Sequence, residues 1–292
     1  MGFASGKELL CKMSLRNSLF LVALAFAVTE IFPGRLVQAQ QPIAASTRPF
    51  EPVEELNYEG EFSRSLLRGL NIADFKFRST RTAIINNDAK TLKPYSLIFN
   101  AEVVSKGFFT RLFNLKFHEQ VQSTVDAHTF TLQKTTIRDE QGKRVRETET
   151  TYDRSKGKMS WTRRDPNNPA GEPNKAQVDF SGQLQDILSA IYFIRTQPLK
   201  LGKPFEVFIG DGGKVYRVPV QVIERKKMKT VLGRVTAFRV EPDLFGPDSL
   251  IEDEKGRFTL WITDDERHIP VTARIKTDYG TFDIKLKRAV YN

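Results

Sequence analysis

FDIKLKR, close to the C-terminus, sets Phe282, Ile284 and Leu286 on one side of an extended chain and Asp283, Lys285 and Lys287 on the other. VTARIKTDY, just before it, sets Val271, Ala273, Ile275 and Tyr279 against Thr272, Arg274, Lys276 and Asp278. Strict alternation of this kind marks β-strands with one buried and one wet face. Asp278, Tyr279 and Gly280 join the two as a hairpin, and GDGG (Gly210–Gly213) joins PFEVFI to KVYRVPVQVI, its glycines supplying the positive φ of a tight turn. TVLGRVTAFRVEP, IADFKFRSTRTAII, YSLIFNAEVVS, FHEQVQSTV, TFTLQKTTI and RVRETETTYD add further strands with short connections, so neighbours run mostly antiparallel. RRDPNNPAGEPNK (Arg163–Lys175) reads as a long surface loop inserted within one sheet.

Only one stretch has firm helical spacing. SGQLQDILSAIYFIRTQP (Ser181–Pro198) places Leu184, Ile187, Leu188, Ile191 and Ile194 on one face, with Ser181 as its cap and Pro198 at its end. FFTRLFN (Phe108–Asn114) reads as a short second helix. About ten to twelve half-apolar strands against one helix cannot remain flat, because much apolar surface would stay wet. The fold class expected is therefore mainly β: a single curved antiparallel sheet, a half-barrel or open barrel, with one main helix on its concave side.

The N-terminus predicts the compartment. Lys7, Lys12 and Arg16 precede an apolar run, Ser18–Phe32, and Val37 and Ala39 occupy the −3 and −1 places of a small-residue cleavage site. Residues 1–39 read as a secretory signal cleaved after Ala39, giving a periplasmic protein; a secreted protein, or one anchored by an uncleaved segment, is the alternative. The run is interrupted too early, by Glu30, Pro33 and Gly34, to span a bilayer comfortably. Residues 40–55 read as a flexible linker and 56–292 as one β-rich domain. Cleavage would remove Cys11, the one cysteine, and lower the net charge from +10 to +8, since four bases and two acids go with the leader. The exported part then has no disulfide and no thiol chemistry, and must be held by its core.

Chemistry is sparse. The three histidines, His118, His128 and His268, share no ligand spacing, and Asp264, Asp265, Glu266 and His268 are adjacent residues that diverge, so neither metal nor cofactor is expected. There is no nucleophile elbow, and Ser189 sits within the helix, its hydroxyl bonding back to the preceding turn. Glu147 and Glu149 share a strand face, which suits either acid–base work or a plain wet surface, and the wet surface is the expectation. GDGGK lacks the length and hydroxyl of a phosphate loop. RKKMK (Arg225–Lys229) reads as a solvated hairpin turn, with a foothold on anionic headgroups or polysaccharide as its functional alternative. Nucleic acid is not an expected partner. WITDDERHIPV (Trp261–Val271) reads as a strand, a charged reversal at Asp264–Arg267, and Pro270 at an edge or bulge.

DILSAIYFIRTQPLKLGKPF (Asp186–Phe205), the GDGGKVYRVPV hairpin, the strand at Gly233 and LWITDDERHIPV together resemble the bacterial family called domain of unknown function 3108, over about Tyr58 to Val290. The resemblance implies export and brings no known activity or catalytic residue. A weaker similarity, in the order of the last strands, is to periplasmic lipoprotein-carrier half-barrels. That likeness speaks to fold only.

The aromatics give the functional lead. An apolar pocket is expected, lined by Phe99, Phe108, Phe109, Phe113, Ile191 and Tyr192. The expected function is a non-enzymatic envelope protein that binds or carries a lipid or lipidated chain. The alternative is a structural or assembly adaptor that docks a protein or polysaccharide.

Overall fold

The computed structural model describes residues 50, 53–83, 95–107, 110, 116–252 and 255–291. The expected signal segment lies outside them. Alternation builds the sheet from its first strand: β1 (Val53–Arg64) turns Glu54, Leu56 and Tyr58 inward and Glu55, Asn57 and Glu59 outward. Then come β2 (Leu67–Ala83), β3 (Tyr95–Ser105), β4 (Phe117–Asp126), β5 (Leu132–Gln141), β6 (Arg144–Asp153), β7 (Lys158–Arg164) and β8 (Asn174–Asp179), each antiparallel to the one before. After β9 (Leu184–Gln185) and the helix α1 (Ile187–Thr196), a second meander runs through β10 (Phe205–Asp211), β11 (Lys214–Thr230), β12 (Gly233–Pro242), β13 (Arg257–Thr263), β14 (Pro270–Thr277) and β15 (Gly280–Tyr291).

All fifteen strands form one sheet, in the order β8 to β1, then β15 down to β9. The first and last strands therefore pair in its middle, from Glu54↔Tyr291 to Ser63↔Thr281. The expected ten to twelve strands fall short of fifteen for a physical reason. β8 alternates only weakly, with Ala176 and Val178 half-buried against exposed Lys175, Gln177 and Asp179, and β9 has two residues, so neither carries a clear two-residue hydrophobic period. Two local readings also change. RKKMK is the body of β11, and the reversal comes at Val231 and Leu232, where Gly233 takes φ +91. The helix begins at Ile187, capped by Asp186 and not Ser181, because Leu184 and Gln185 are drawn into parallel pairing with Phe208 and Ile209.

α1 crosses from one meander to the other over the concave face. Leu188 and Tyr192 pack with the inner residues of the first meander, including Leu56, Phe75, Phe99 and Val121. Ala190 and Ile194 pack with those of the second, including Val207, Val218, Val240 and Ile262. Each of the larger aliphatic side chains among them taken out of water stabilises the fold by roughly 1.5–3 kcal/mol. The sheet rolls until its ends meet without hydrogen-bonding to each other. At the overlap, a Cβ on Gly210 would lie 2.5 Å from Met159 Sδ, and one on Gly213 would lie 2.5 Å from Ala176 Cβ. Glycine is what lets the β10–β11 hairpin rest on β7 and β8 this closely.

Both ends of α1 are tied down. At its start, Asp186 accepts from the Ser189 N–H at 2.6 Å, and Ser189 Oγ accepts from the Asp186 N–H at 3.0 Å, completing a capping box. Ser189 sits in the first turn rather than mid-helix, and its hydroxyl also makes the expected bond back, donating to the Asp186 carbonyl at 3.4 Å. At its end, Arg195 donates Nη1 and Nη2 to the two carboxylate oxygens of Glu54, at 2.6 and 2.7 Å. The pair is almost wholly enclosed, with side chains 1% and 0% exposed. Removing one member of such a pair leaves a buried charge without a counter-charge and costs about 3–5 kcal/mol, whereas replacing both by apolar residues is often neutral. Urea unfolding should therefore show Arg195→Met strongly destabilised and Arg195→Met combined with Glu54→Met restored close to wild type.

Candidate functional site

The concave interior holds two cavities of opposite character, one on each flank of α1. Between them stands an aromatic stack. Phe99 from β3 lies face to face with Tyr192, centroids 3.9 Å apart and planes within 6°. Phe50 meets both edge-on, at 5.4 and 5.1 Å. Phe130 closes against Phe50, Phe99 and Phe193. Phe99, expected as pocket lining, thus fills the interior, while Tyr192 has one face in this stack and also lines the apolar cleft beside Ile191. Phe108, Phe109 and Phe113 lie outside the described residues.

The third residue expected in this region, Ile191, lines an apolar cleft of about 80 Å³ on the flank facing β1, β2 and β13–β15. Leu56, Phe77, Phe258, Ile275 and Ile284 form most of its wall, with Tyr58 and Arg195 at its polar margin. Tyr58 is anchored by donating to the Pro270 carbonyl at 2.8 Å, and burial raises its phenol well above the ordinary value.

The other flank, at the N-terminus of α1, is polar. A cavity of about 70 Å³ is bounded by Asp186, Asp211, Tyr152, Arg163, Thr150 and Asp139, among others. Besides its cap, Asp186 accepts from Ser123 Oγ at 2.6 Å and from Thr135 Oγ1. It is therefore a structural acceptor, linking α1 to β4 and β5. Asp211 stands differently. Burial pushes its carboxyl up to about 6, against the pull of Arg163 and the Gly212 N–H, and the Asp186 carboxylate adds to the rise. Burial also raises the Tyr152 phenol well above its ordinary value, helped by Asp186, and lowers Arg163, helped by Arg146. Asp139 is bound on one side by Arg144 Nη2 at 3.2 Å, while its Oδ1 is enclosed without a hydrogen-bond partner among the described residues. At about 6, the Asp211 carboxyl is poised to exchange a proton close to neutral pH. The cavity has room for only a few waters. Among the described residues, no group of three or more His, Cys, Asp or Glu could hold a metal ion.

Asp211, Tyr152 and Arg163 carry no functional signal in the sequence: Asp211 reads as part of a glycine turn, and Arg163 as the start of a loop, although it belongs to β7 and faces inward. No local pattern distinguishes an inward Asp or Arg on a mixed strand from a wet one.

A larger concavity, among the described residues, is on the outer face. Across β2–β7 the twisted sheet forms a polar trough of about 820 Å³, with Lys76, Asn100, Gln120, Gln122, Thr136 and Arg164 among its lining. Gln122 donates to Asn100 at 3.1 Å. Glu147 and Glu149 face this trough and are bound by Arg138 and, at 2.8 Å, by Lys134. The two glutamates are ion-paired surface groups.

WITDDERHIPV resolves into a turn that grips the helix. Asp265 Oδ1 accepts from the backbone N–H groups of Arg267 and His268 at 3.0 and 3.1 Å and from Thr263 Oγ1 at 2.8 Å. His268, at φ +45, donates Nδ1–H to the Arg195 carbonyl at 2.7 Å, and Arg195 Nη2 donates to the Arg267 carbonyl at 3.0 Å. Pro270 sits opposite Ile262 after a register shift, at a bulge inside the sheet.

The sequence profile of DUF3108, a protein of unknown function, matches residues 58–287. No curated protein matches. A similar solved structure is the beta-barrel-like protein of domain of unknown function DUF1849 from Brucella abortus. It is 10% identical, with a TM-score of 0.49, and the alignment covers 84% of this chain and 99% of that one.

The Asp211 shift has a pH signature. Its folded value, about 6, lies above its ordinary 3.8, so the protonated form favours the folded state. That stabilisation is complete below the unfolded value and is lost as pH rises through about 6. Urea midpoints measured from about pH 4.5 to 6.5 should decline more for wild type than for Asp211→Asn, which should be the more stable protein at neutral pH. Parallel profiles would refute the enclosed acid.

Proposed function

The chain belongs to the DUF3108 family, which carries no known activity, and from its own geometry we propose that it is a non-enzymatic envelope adaptor that docks a polar partner on its outer face. One observation supports this reading above the rest. The interior is filled by α1 and its aromatic stack, leaving cavities of about 70 and 80 Å³, while the outer trough offers about 820 Å³. Pockets for small molecules commonly run to about 300–1,000 Å³. The trough is lined by amides, hydroxyls and charges of both signs. That surface suits hydrogen bonding to an extended polar chain, a protein segment or a polysaccharide, better than an apolar one. A periplasmic setting for this role rests on the signal read from the sequence of residues 1–39.

A second reading rests on the cleft beside Ile191, whose walls are almost wholly apolar. It suits the end of an acyl chain, and a whole lipid would need α1 to move aside. Two measurements separate the readings. A photo-crosslinking residue at Gln122, in the outer trough, should trap a discrete envelope partner or glycan in living cells, whereas one at Thr272 on a distant part of the outer face should not. Native mass spectrometry after mild purification should show the bare polypeptide mass. Bound lipid together with silence at Gln122 would replace the adaptor by the carrier.

A further inference from the structure

β11 and β12 outrun their neighbours. β10 pairs with β11 only as far as Val220, and β13 pairs with β12 only from Ala237 to Val240, yet the β11–β12 ladder continues to Thr230↔Gly233. Residues from about 225 to 236 thus form a two-stranded arm beyond the rest of the sheet. Its register decides which side chains share a face, because opposite residues do and so do alternate ones. Arg225, Lys227 and Lys229 lie on one face with Arg234, and Met228 and Val235 lie on the other. Lys226 is on that second face, its ammonium 4.2 Å above the Trp261 ring.

The cationic face is unbalanced. No Asp or Glu occurs between Arg225 and Val240. Arg225 is paired with Asp264. Lys227, Lys229 and Arg234 are exposed and have no ion-pair or hydrogen-bond partner among the described residues. Lys229 stands directly opposite Arg234 in the ladder. Like charges so placed destabilise an isolated strand pair, and an external anion relieves the repulsion. At the tip, Val231 is 54% exposed beside the half-buried Leu232. A soluble polyanion has no use for an apolar tip, but a bilayer surface does, at the boundary of headgroups and acyl chains.

We propose that this arm docks the protein on an anionic phospholipid surface, with Lys227, Lys229 and Arg234 among the headgroups and Val231 at the acyl boundary. The interaction is independent of the outer trough on β2–β7 and of any partner held there.

Vesicle flotation of the full chain tests it, with vesicles of pure phosphatidylcholine and of phosphatidylcholine mixed equally with phosphatidylglycerol. In a Lys7→Gln, Lys12→Gln, Arg16→Gln background, which removes the basic start, binding to the neutral vesicles registers any contribution from the apolar run Ser18–Phe32, and the excess on anionic vesicles registers the arm. That excess should fall about fivefold for each cation removed, or about 100-fold in the Lys227→Gln, Lys229→Gln, Arg234→Gln triple variant, and should also fall at high salt. Val231→Ser should weaken it several-fold and Val231→Leu should not. These positions are solvent-facing, so thermal unfolding no lower than that of wild type confirms intact variants. Equal binding to both vesicle types, or an undiminished excess in the triple variant, overturns the proposal. Loss in the triple variant with no effect of Val231→Ser, accompanied by equally tight binding to dextran sulfate, also overturns it in favour of a soluble polyanion.

Discussion

The fork between Arg195 and Glu54 fixes how everything else in this protein is arranged. Apolar contact alone would hold α1 in the trough, but such contact is not directional, and a helix on a curved apolar face can slide or turn with little loss. A buried guanidinium bound through two nitrogens to a buried carboxylate accepts one geometry. Glu54 belongs to the strand at the middle of the sheet, and Arg195 also donates to the turn after β13. A single side chain therefore sets helix, central strand and second meander in common register. The capping aspartate does the matching work at the other end, since its second oxygen is held by hydroxyls from β4 and β5.

Held this way, α1 divides the interior. On one flank it completes an apolar cleft. On the other, Asp186 presents a carboxylate to a cavity that already contains Asp211, Tyr152 and Arg163. The division follows from the sheet's own composition. The inward residues of β5, β6 and β7 include Thr135, Thr148, Thr150 and Arg163, while those of β1, β2, β13 and β14 are mainly apolar. A helix that was amphipathic only toward solvent would leave the polar side unmatched. Here the cap residue and the exposed start of the helix dipole face the polar flank.

Much of this architecture was legible in the residues. The alternation of Phe282, Ile284 and Leu286 against their charged neighbours, the glycine turn at Gly212 and Gly213, and the helical spacing of Leu188, Ile191 and Ile194 all report local geometry, and local geometry is what periodicity encodes. The strand count was less legible. β9 is defined only by its parallel partner, and β8 has no face apolar enough to announce itself. The charges that organise the interior were the least legible of all. Glu54 falls inside the stretch that reads as linker, residues 40–55, although β1 already begins at Val53, and its partner is 141 residues away. His268 and Asp265 looked like a crowded tip, and only the position of the α1 C-terminus shows that they close around it. Pairing across that much sequence leaves no trace in a window of neighbours.

The meeting of β1 and β15 at the centre of the sheet has a consequence for how the molecule comes to be folded. Each meander is a chain of local hairpins and can form as its own residues become available, but each then ends in one unpaired strand at what will be the middle. The seam joining them requires the last strand of the chain to find the first, a contact with the largest loop-closure cost in the molecule. Without β15 in place, the two meanders would stand as half-sheets with exposed inner edges. A chain lacking β15 would keep nearly all its strands and lose the one connection that makes them a single sheet.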